Sequence, residues 1–186
     1  MENSFDVPAT QTAILQGDAG DLRITPGSPI PELGSHQMLV RTVAVSLNPC
    51  DFKMPLRFPT PGLWDGCDFA GTVVALGSEV ATQGRFHCGD RVFGAVQGSN
   101  QSDPLSGAYC EYIRAEAAFT FHIPEGMPFT TAPALSGTGI ATLGVALFWS
   151  LQIPGSFDEK AKRSEDVLIY GGSSTIGLLA IQMIKL

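Results

Sequence analysis

The sequence predicts a mixed α and β chain, in which a small closed or partly closed β-barrel is followed by the first strand and first helix of an α/β fold with a parallel sheet. Three observations carry this prediction. Short apolar segments ended by glycine or proline fill the first two thirds of the 186 residues, within a total of 21 Gly and 13 Pro. Apolar residues occupy both alternating positions of several of these segments, which suits a closed sheet better than a one-sided one. Finally, the apolar run Val167–Tyr170 passes directly into a Gly/Ser turn and an apolar segment at helical spacing.

Composition bounds the function. With 44% hydrophobic and 16% charged residues the chain has material for a real core and no sign of disorder. A net charge of −7 without a basic stripe argues against nucleic acid and anionic membrane as partners. The amino terminus is acidic and polar, with no basic or apolar leader region, so a cytoplasmic protein is expected. The longest apolar stretch, Ala132 to Leu151, is broken by Pro133, Ser136, Gly137, Gly139 and Gly144, and reads as a buried helix with small faces, not a membrane span.

In chain order, Gln11–Gln16 and Asp21–Thr25 read as a hairpin, and Gln37–Ser46 as a strand of alternating residues. At Asn48–Lys53 (Asn-Pro-Cys-Asp-Phe-Lys) a short helical turn is expected. Asn48 can cap it, Pro49 suits its first position and Asp51 favours its N-terminus. Cys67–Leu76, Asp90–Val96 and Ala108–Arg114 are further strands, and Pro154–Asp166 is an exposed loop.

The last segment completes the pattern. In the dinucleotide fingerprint G-x-G-x-x-G the glycines serve the tight turn, the close phosphate approach and the packing of helix on strand, and here those positions are Gly172, Ser174 and Gly177. Ser174 places a side chain at the second position, so a dinucleotide would sit slightly further out. The hydroxyls of Ser173, Ser174 and Thr175 and the N–H groups of the helix start would face it. Val167–Ile169 reads as a strand buried on both faces, and the helix after it is apolar on most sides. Their cover would come from later strands and helices, so an incomplete Rossmann domain with a mobile, adherent C-terminus is expected.

No zinc ribbon, disulfide framework or hydrolase elbow is indicated. Cys50, Cys67, Cys88 and Cys110 are far apart with no C-x-x-C pair, His36, His87 and His122 are equally scattered, and no G-x-S-x-G occurs.

Five ordered segments carry a family resemblance: Asn48–Lys53, Asp65–Gly77 (Asp-Gly-Cys-Asp-Phe-Ala-Gly-Thr-Val-Val-Ala-Leu-Gly), Gly89–Gly94 (Gly-Asp-Arg-Val-Phe-Gly), Gly107–Tyr112 (Gly-Ala-Tyr-Cys-Glu-Tyr) and Val167–Gly177. In order and spacing they resemble the medium-chain dehydrogenase/reductase superfamily. The resemblance implies a GroES-like substrate domain over residues 1–128, an interdomain helix and loop over 129–166, and the beginning of an NADP-binding Rossmann domain over 167–186. It points to the zinc-free, quinone-reductase-like branch. Asn48 stands where the zinc alcohol dehydrogenases have a metal cysteine, and Cys67 and Asp68 stand at their His-Glu pair; one soft residue does not assemble a zinc site, so no metal is expected.

More narrowly, Gly171–Ser174, the helix from Ser136 and the Pro154–Asp166 loop are similar to fungal trans-acting enoyl reductases of the lovastatin-pathway type. That family implies NADPH-dependent reduction of an α,β-unsaturated thioester, carried on the acyl carrier domain of a partner polyketide synthase or polyketide–nonribosomal peptide hybrid synthase, by a monomeric enzyme. Carried over by position, Cys50, Asp51, Phe52 and Lys53 would border the nicotinamide, with Lys53 as catalytic donor. Ser173, Ser174, Thr175 and Ile176 would meet the cofactor phosphates. Thr138, Gly139, Ile140, Ala141, Thr142, Leu143, Gly144 and Val145 would line the acyl pocket, or serve only close helix packing. NADPH itself is implied by the resemblance, because the family reads the 2′-phosphate after its second Rossmann strand. A non-catalytic docking fragment and a quinone or enone reductase are the alternative readings.

Overall fold

The computed structural model describes residues 5–154 and 166–185, and the chain divides into two compact units, Met1–Ser136 and Gly137–Leu186. Most of the loop expected at Pro154–Asp166 lies outside the described residues.

The first unit contains β1 (Thr10–Gln16), β2 (Leu22–Pro29), β3 (Gln37–Ser46), α1 (Pro49–Arg57), β4 (Asp68–Leu76), α2 (Ser78–Gln83), β5 (Arg91–Ala95), β6 (Tyr112–Glu116) and β7 (Thr120–His122). The strands β1 and β2 form the expected hairpin. The others form one antiparallel sheet in the order β6-β3-β4-β5-β7. Isolated bridges Ala13↔Cys110 and Leu15↔Trp64 tie the hairpin to the rest, giving a partly closed barrel.

At the centre, β4 is buried on both faces through Val74 apart from a half-buried Thr72, which is why its apolar residues fill both alternating positions. Close approach to β3 requires glycine at position 71, where a Cβ would lie 2.2 Å from the Arg41 carbonyl oxygen. Met38, Val40, Trp64, Phe69, Phe86 and Ile113 form the heart of the core. On the second half of β3, however, Val43 and Val45 face outward.

Three elements differ from expectation. Instead of a strand over Ala108–Arg114, β6 begins at Tyr112; before it, Tyr109 spends its backbone groups on the Asp65 carbonyl and the Ile14 N–H, and Cys110 makes an isolated bridge to Ala13. The helical turn at Asn48 continues to Arg57 as α1, with Pro55 tolerated in its last turn. Both α2 and β7 are additional; α2 ends on Gly84 in the left-handed conformation, φ 66°, which a glycine adopts without strain.

In the second unit a helical run comprises π-turns at Gly137–Ala141 and Val145–Ser150 around the single α-turn α3 (Thr142–Gly144), and α4 spans Thr175–Lys185. Leu143, Leu147 and Ala180 are buried, with Ile169, Ile176 and Met183 packed against them. The expectation of a buried helix over Ala132–Leu151 is corrected. Val145 is 59%, Trp149 82% and Leu151 65% exposed, because the run is apolar on all sides and the described residues of the unit cover only one. Among the described residues, Ala132–Ser150 (mean hydropathy 1.3) is the one stretch long and apolar enough to cross a membrane by length and composition.

The strand expected at Val167–Tyr170 is also corrected: residues 166–169 join no sheet, and Leu168 is 93% exposed. A strand exists only through its ladder partners, and no parallel neighbour occurs among the described residues.

Candidate functional site

The start of α1 is built around one carboxyl group. Asp51, at the third helical position and buried, accepts the Asn48 N–H on Oδ2 at 2.7 Å, one half of a capping box. On the same Oδ2 it accepts the Tyr109 hydroxyl at 2.5 Å. The Asn48 amide turns the other way and donates to Asp68 Oδ2 at 2.8 Å. The helix is therefore fastened to β4 through Asn48 and to the segment before β6 through Asp51. Burial and the negative charge of Asp51 hold the Tyr109 phenol well above its usual range, so it remains a donor.

This anchorage fixes what α1 presents. Phe52 and Lys53 follow directly and are exposed, with Lys53 Nζ 5.8 Å from the Phe52 ring centroid. Cys50 Sγ points toward Asp51 Oδ1 at 3.5 Å. The ligating atoms of Cys50, Asp51 and Cys67 all lie within 4.8 Å of one another. The barrel brings Cys50 beside Cys67 across a gap of seventeen positions in sequence. Burial, followed by the Asp51 charge, pushes the Cys50 thiol up, and burial pushes the Cys67 thiol up much further. All four cysteines are free thiols.

Behind this group lies a second buried acid. Asp65 Oδ1 accepts the Ser99 hydroxyl at 2.8 Å, Ser99 Oγ in turn accepts the Gln16 amide at 2.7 Å, and Asp65 Oδ2 is buried without a partner. Burial raises the Asp65 pKa above its ordinary 3.8 despite the Ser99 hydrogen bond. A carboxyl raised in the folded state favours folding below its unfolded pKa, and that advantage is lost as pH rises through the folded pKa. Asp65→Asn is therefore expected to gain stability on the parent as pH rises from 3.8 upward, then to keep a constant difference. Urea unfolding of both chains across that range checks it; parallel pH profiles would contradict it.

In the second unit the turn before α4 forms a compact cradle. Gly171 has φ 91°, and a Cβ on Gly177 would lie 2.3 Å from the Gly171 oxygen, so the last fingerprint glycine packs the helix onto its own turn. Ser174 acts as the N-cap: its hydroxyl donates to the Gly171 oxygen at 2.8 Å and accepts the Gly177 N–H at 3.1 Å. The serine at the second fingerprint position thus completes the cap, while Ser173 and Thr175 remain exposed beside the helix start. First-turn N–H groups of a helix lack intrahelical acceptors and favour an anion, although here the Gly177 N–H is already taken by Ser174.

The residues Thr138–Val145 separate into three sets. Gly139 and Leu143 are buried in helix packing, whereas Ile140, Ala141, Thr142 and Val145 are exposed and Thr138 and Gly144 are half-buried. Gly144 and Val145, with Phe148 and Trp149, line an open concavity of about 450 Å³ with almost entirely apolar walls.

Tyr109 and Asp65 were not among the site residues expected from sequence. The signal for Tyr109 was the Gly107–Tyr112 segment, which marks a motif without revealing which side chain it sends to Asp51. Asp65 opens the Asp65–Gly77 segment, which likewise marks a motif without revealing that this carboxyl is buried against Ser99.

Residues 34–125 match the alcohol dehydrogenase GroES-like domain. The chain is 53% identical over 184 residues to the enoyl reductase cheB of Chaetomium globosum, covering 98% of this chain and 49% of that protein. It is 51% identical over 187 residues to the trans-enoyl reductase ccsC of Aspergillus clavatus, covering 100% of this chain and 51% of that protein. Its fold is similar to that of the quinone oxidoreductase from Coxiella burnetii, with a TM-score of 0.70 at 28% identity over 95% of this chain and 53% of that one. The chain is thus similar over nearly its whole length to fungal trans-enoyl reductases, and in its first unit to the alcohol dehydrogenase GroES-like domain. It spans about half the length of the curated relatives it matches.

Proposed function

We propose that this chain provides the substrate-facing barrel and the opening of the nucleotide domain of an NADPH-dependent, zinc-independent, trans-acting enoyl reductase. The observation that carries this reading is the 51–53% identity to enoyl reductases across practically the whole chain. The substrate would be an α,β-unsaturated polyketide thioester on the acyl carrier domain of a partner polyketide synthase or hybrid synthase, and the setting cytoplasmic, with a monomeric enzyme. Residues 1–128 would form the substrate domain, 129–166 the interdomain segment and 167–186 the start of the Rossmann domain.

In this reading the anchored start of α1 brings Cys50, Asp51, Phe52 and Lys53 to the nicotinamide end. Ser173, Thr175 and Ile176 meet the phosphates, with Ser174 holding the turn in shape. Bound NADPH would supply a hydride for the β-carbon. Lys53 would then polarise the thioester carbonyl as enolate charge develops, before the α-carbon takes its proton. The exposed members of Thr138–Val145, with their apolar concavity, suit an acyl chain.

The 186-residue chain expressed alone is expected to show no NADPH turnover, since among the described residues Val167–Tyr170 has no paired sheet on which to seat a dinucleotide. Activity is tested in a chimera that continues residues 1–186 with the part of cheB beyond its matched region. NADPH oxidation dependent on a carrier-bound enoyl thioester supports the proposal. Preference for a simple quinone over that thioester would instead assign a quinone reductase.

A further inference from the structure

We propose that Arg57, in the last turn of α1, holds the phosphate of a phosphopantetheine arm and so docks a carrier-borne thioester one helical turn beyond Lys53. This rests on the enoyl reductase reading above, which supplies a carrier-bound substrate but no group to receive the phosphate at the foot of its arm. Lys53 and Arg57 are four positions apart on a helix, which puts them on one face with Cβ atoms about 5–6 Å apart. Both are exposed, and among the described residues neither makes a salt bridge. The acid of α1, Asp51, is buried and already accepts the Asn48 N–H and the Tyr109 hydroxyl. In a chain of net charge −7, α1 thus presents two cations and no exposed acid. Such a pair suits an elongated ligand with a carbonyl to polarise at one end and a fixed anion at the other.

The rest of the helix matches the arm. Between thioester and phosphate, phosphopantetheine carries two amides and a gem-dimethyl carbon, a chain of mixed polarity. In the adjoining row of α1, Phe52 and Leu56 are again four positions apart and are 52% and 61% exposed. Arg57 Cζ stands 5.6 Å from the Phe58 ring centroid, which steers the guanidinium without consuming its N–H donors. The end of the helix is braced as well. The Phe58 N–H donates to Met54 O at 2.8 Å, the Thr60 N–H to Gln16 Oε1 at 3.0 Å, and the Gly62 N–H to Gln16 O at 2.8 Å. The loop through Gly20 packs so closely on Pro55 that no Cβ fits there, and its Asp21 is engaged by Arg23 at 2.6 Å. Arg57 therefore projects from a fixed base, and its planar fork can grip two phosphate oxygens at once.

The test uses the 186-residue chain and the cheB chimera. In the chain, a nitrogen-15 NMR titration with phosphopantetheine should shift the Arg57 Nε–H and Phe58 amide signals saturably, with about tenfold tighter binding than pantetheine lacking the phosphate. In the chimera, KM for the same enoyl group should be about tenfold lower on phosphopantetheine than on pantetheine, a preference that added salt weakens. Arg57→Gln, which keeps helix propensity, should abolish the preference, and Arg57→Lys should restore part of it. Carrier and coenzyme A thioesters share the phosphate, so KM should rise on both in Arg57→Gln; a lower parent KM on the carrier marks it as the source of the arm. A parent chimera that turns over none of these thioesters would count against the enoyl reductase reading, and the NMR titration then decides the role of Arg57. Equal binding of phosphopantetheine and pantetheine by the chain, or a preference retained in Arg57→Gln, would overturn the proposal.

Discussion

Asp51→Ala is expected to destabilise the barrel by about 3 kcal/mol and to release the start of α1. Asp51 receives the Asn48 N–H, the Tyr109 hydroxyl and the Cys50 thiol. Hydrogen bonds to such a group contribute about 1–3 kcal/mol each, and a buried donor left unpaired costs a comparable amount. For a chain of this size, 3 kcal/mol corresponds to a fall of roughly 6–12 °C in the midpoint of thermal unfolding. A double-mutant cycle with Tyr109→Phe separates the shared bond from the cap, with an expected coupling of about 1–3 kcal/mol. Strict additivity of the two substitutions would show that the 2.5 Å contact contributes nothing.

Trp64→Ala should cost about 3–5 kcal/mol, the range for emptying an aromatic site in a packed core. Trp64 is 2% exposed and the largest of the fully buried side chains. Its backbone also ties together separate segments: its N–H donates to Pro104 O at 3.0 Å, and its carbonyl accepts from Ser99 at 2.7 Å. Among the described residues, its bridge to Leu15 is one of two isolated bridges that tie the β1–β2 hairpin to the rest of the barrel. Such a loss is a large part of a domain stability of about 5–15 kcal/mol. Trp64→Phe should restore part of it, and chemical denaturation of the three chains measures the order. A midpoint for Trp64→Ala within error of the parent would contradict this assignment of the core.

Much of the fold was legible because its signals are local. The alternation along Gln37–Ser46 gives β3 with matching ends, and Asn48, Pro49 and Asp51 mark the start of α1. Where local pattern failed, a longer-range partner decided. Val167–Tyr170 has strand composition but no ladder to join, and Ala108–Arg114 gave up its first residues to Ile14 and Asp65. The apolar helix after Leu135 could not announce from its own residues which side would be covered.

The candidate site was legible as segments and not as contacts. Cys50 and Asp51 were recognisable at the start of a helix, but their meeting with Cys67 and Tyr109 depends on the path of the chain through the whole barrel. Likewise Ser174 was legible as a departure from the fingerprint, while its use as the cap of α4 required the geometry of the turn.

Lys53→Ala in the cheB chimera tests the account most directly, through kcat with a carrier-bound enoyl thioester alongside NADPH affinity. If the anchored helix presents Lys53 to developing enolate charge, kcat falls about 10²–10³-fold, with NADPH affinity and thermal stability nearly unchanged. Retention of the parent kcat in a folded, NADPH-binding variant would contradict the role given to α1.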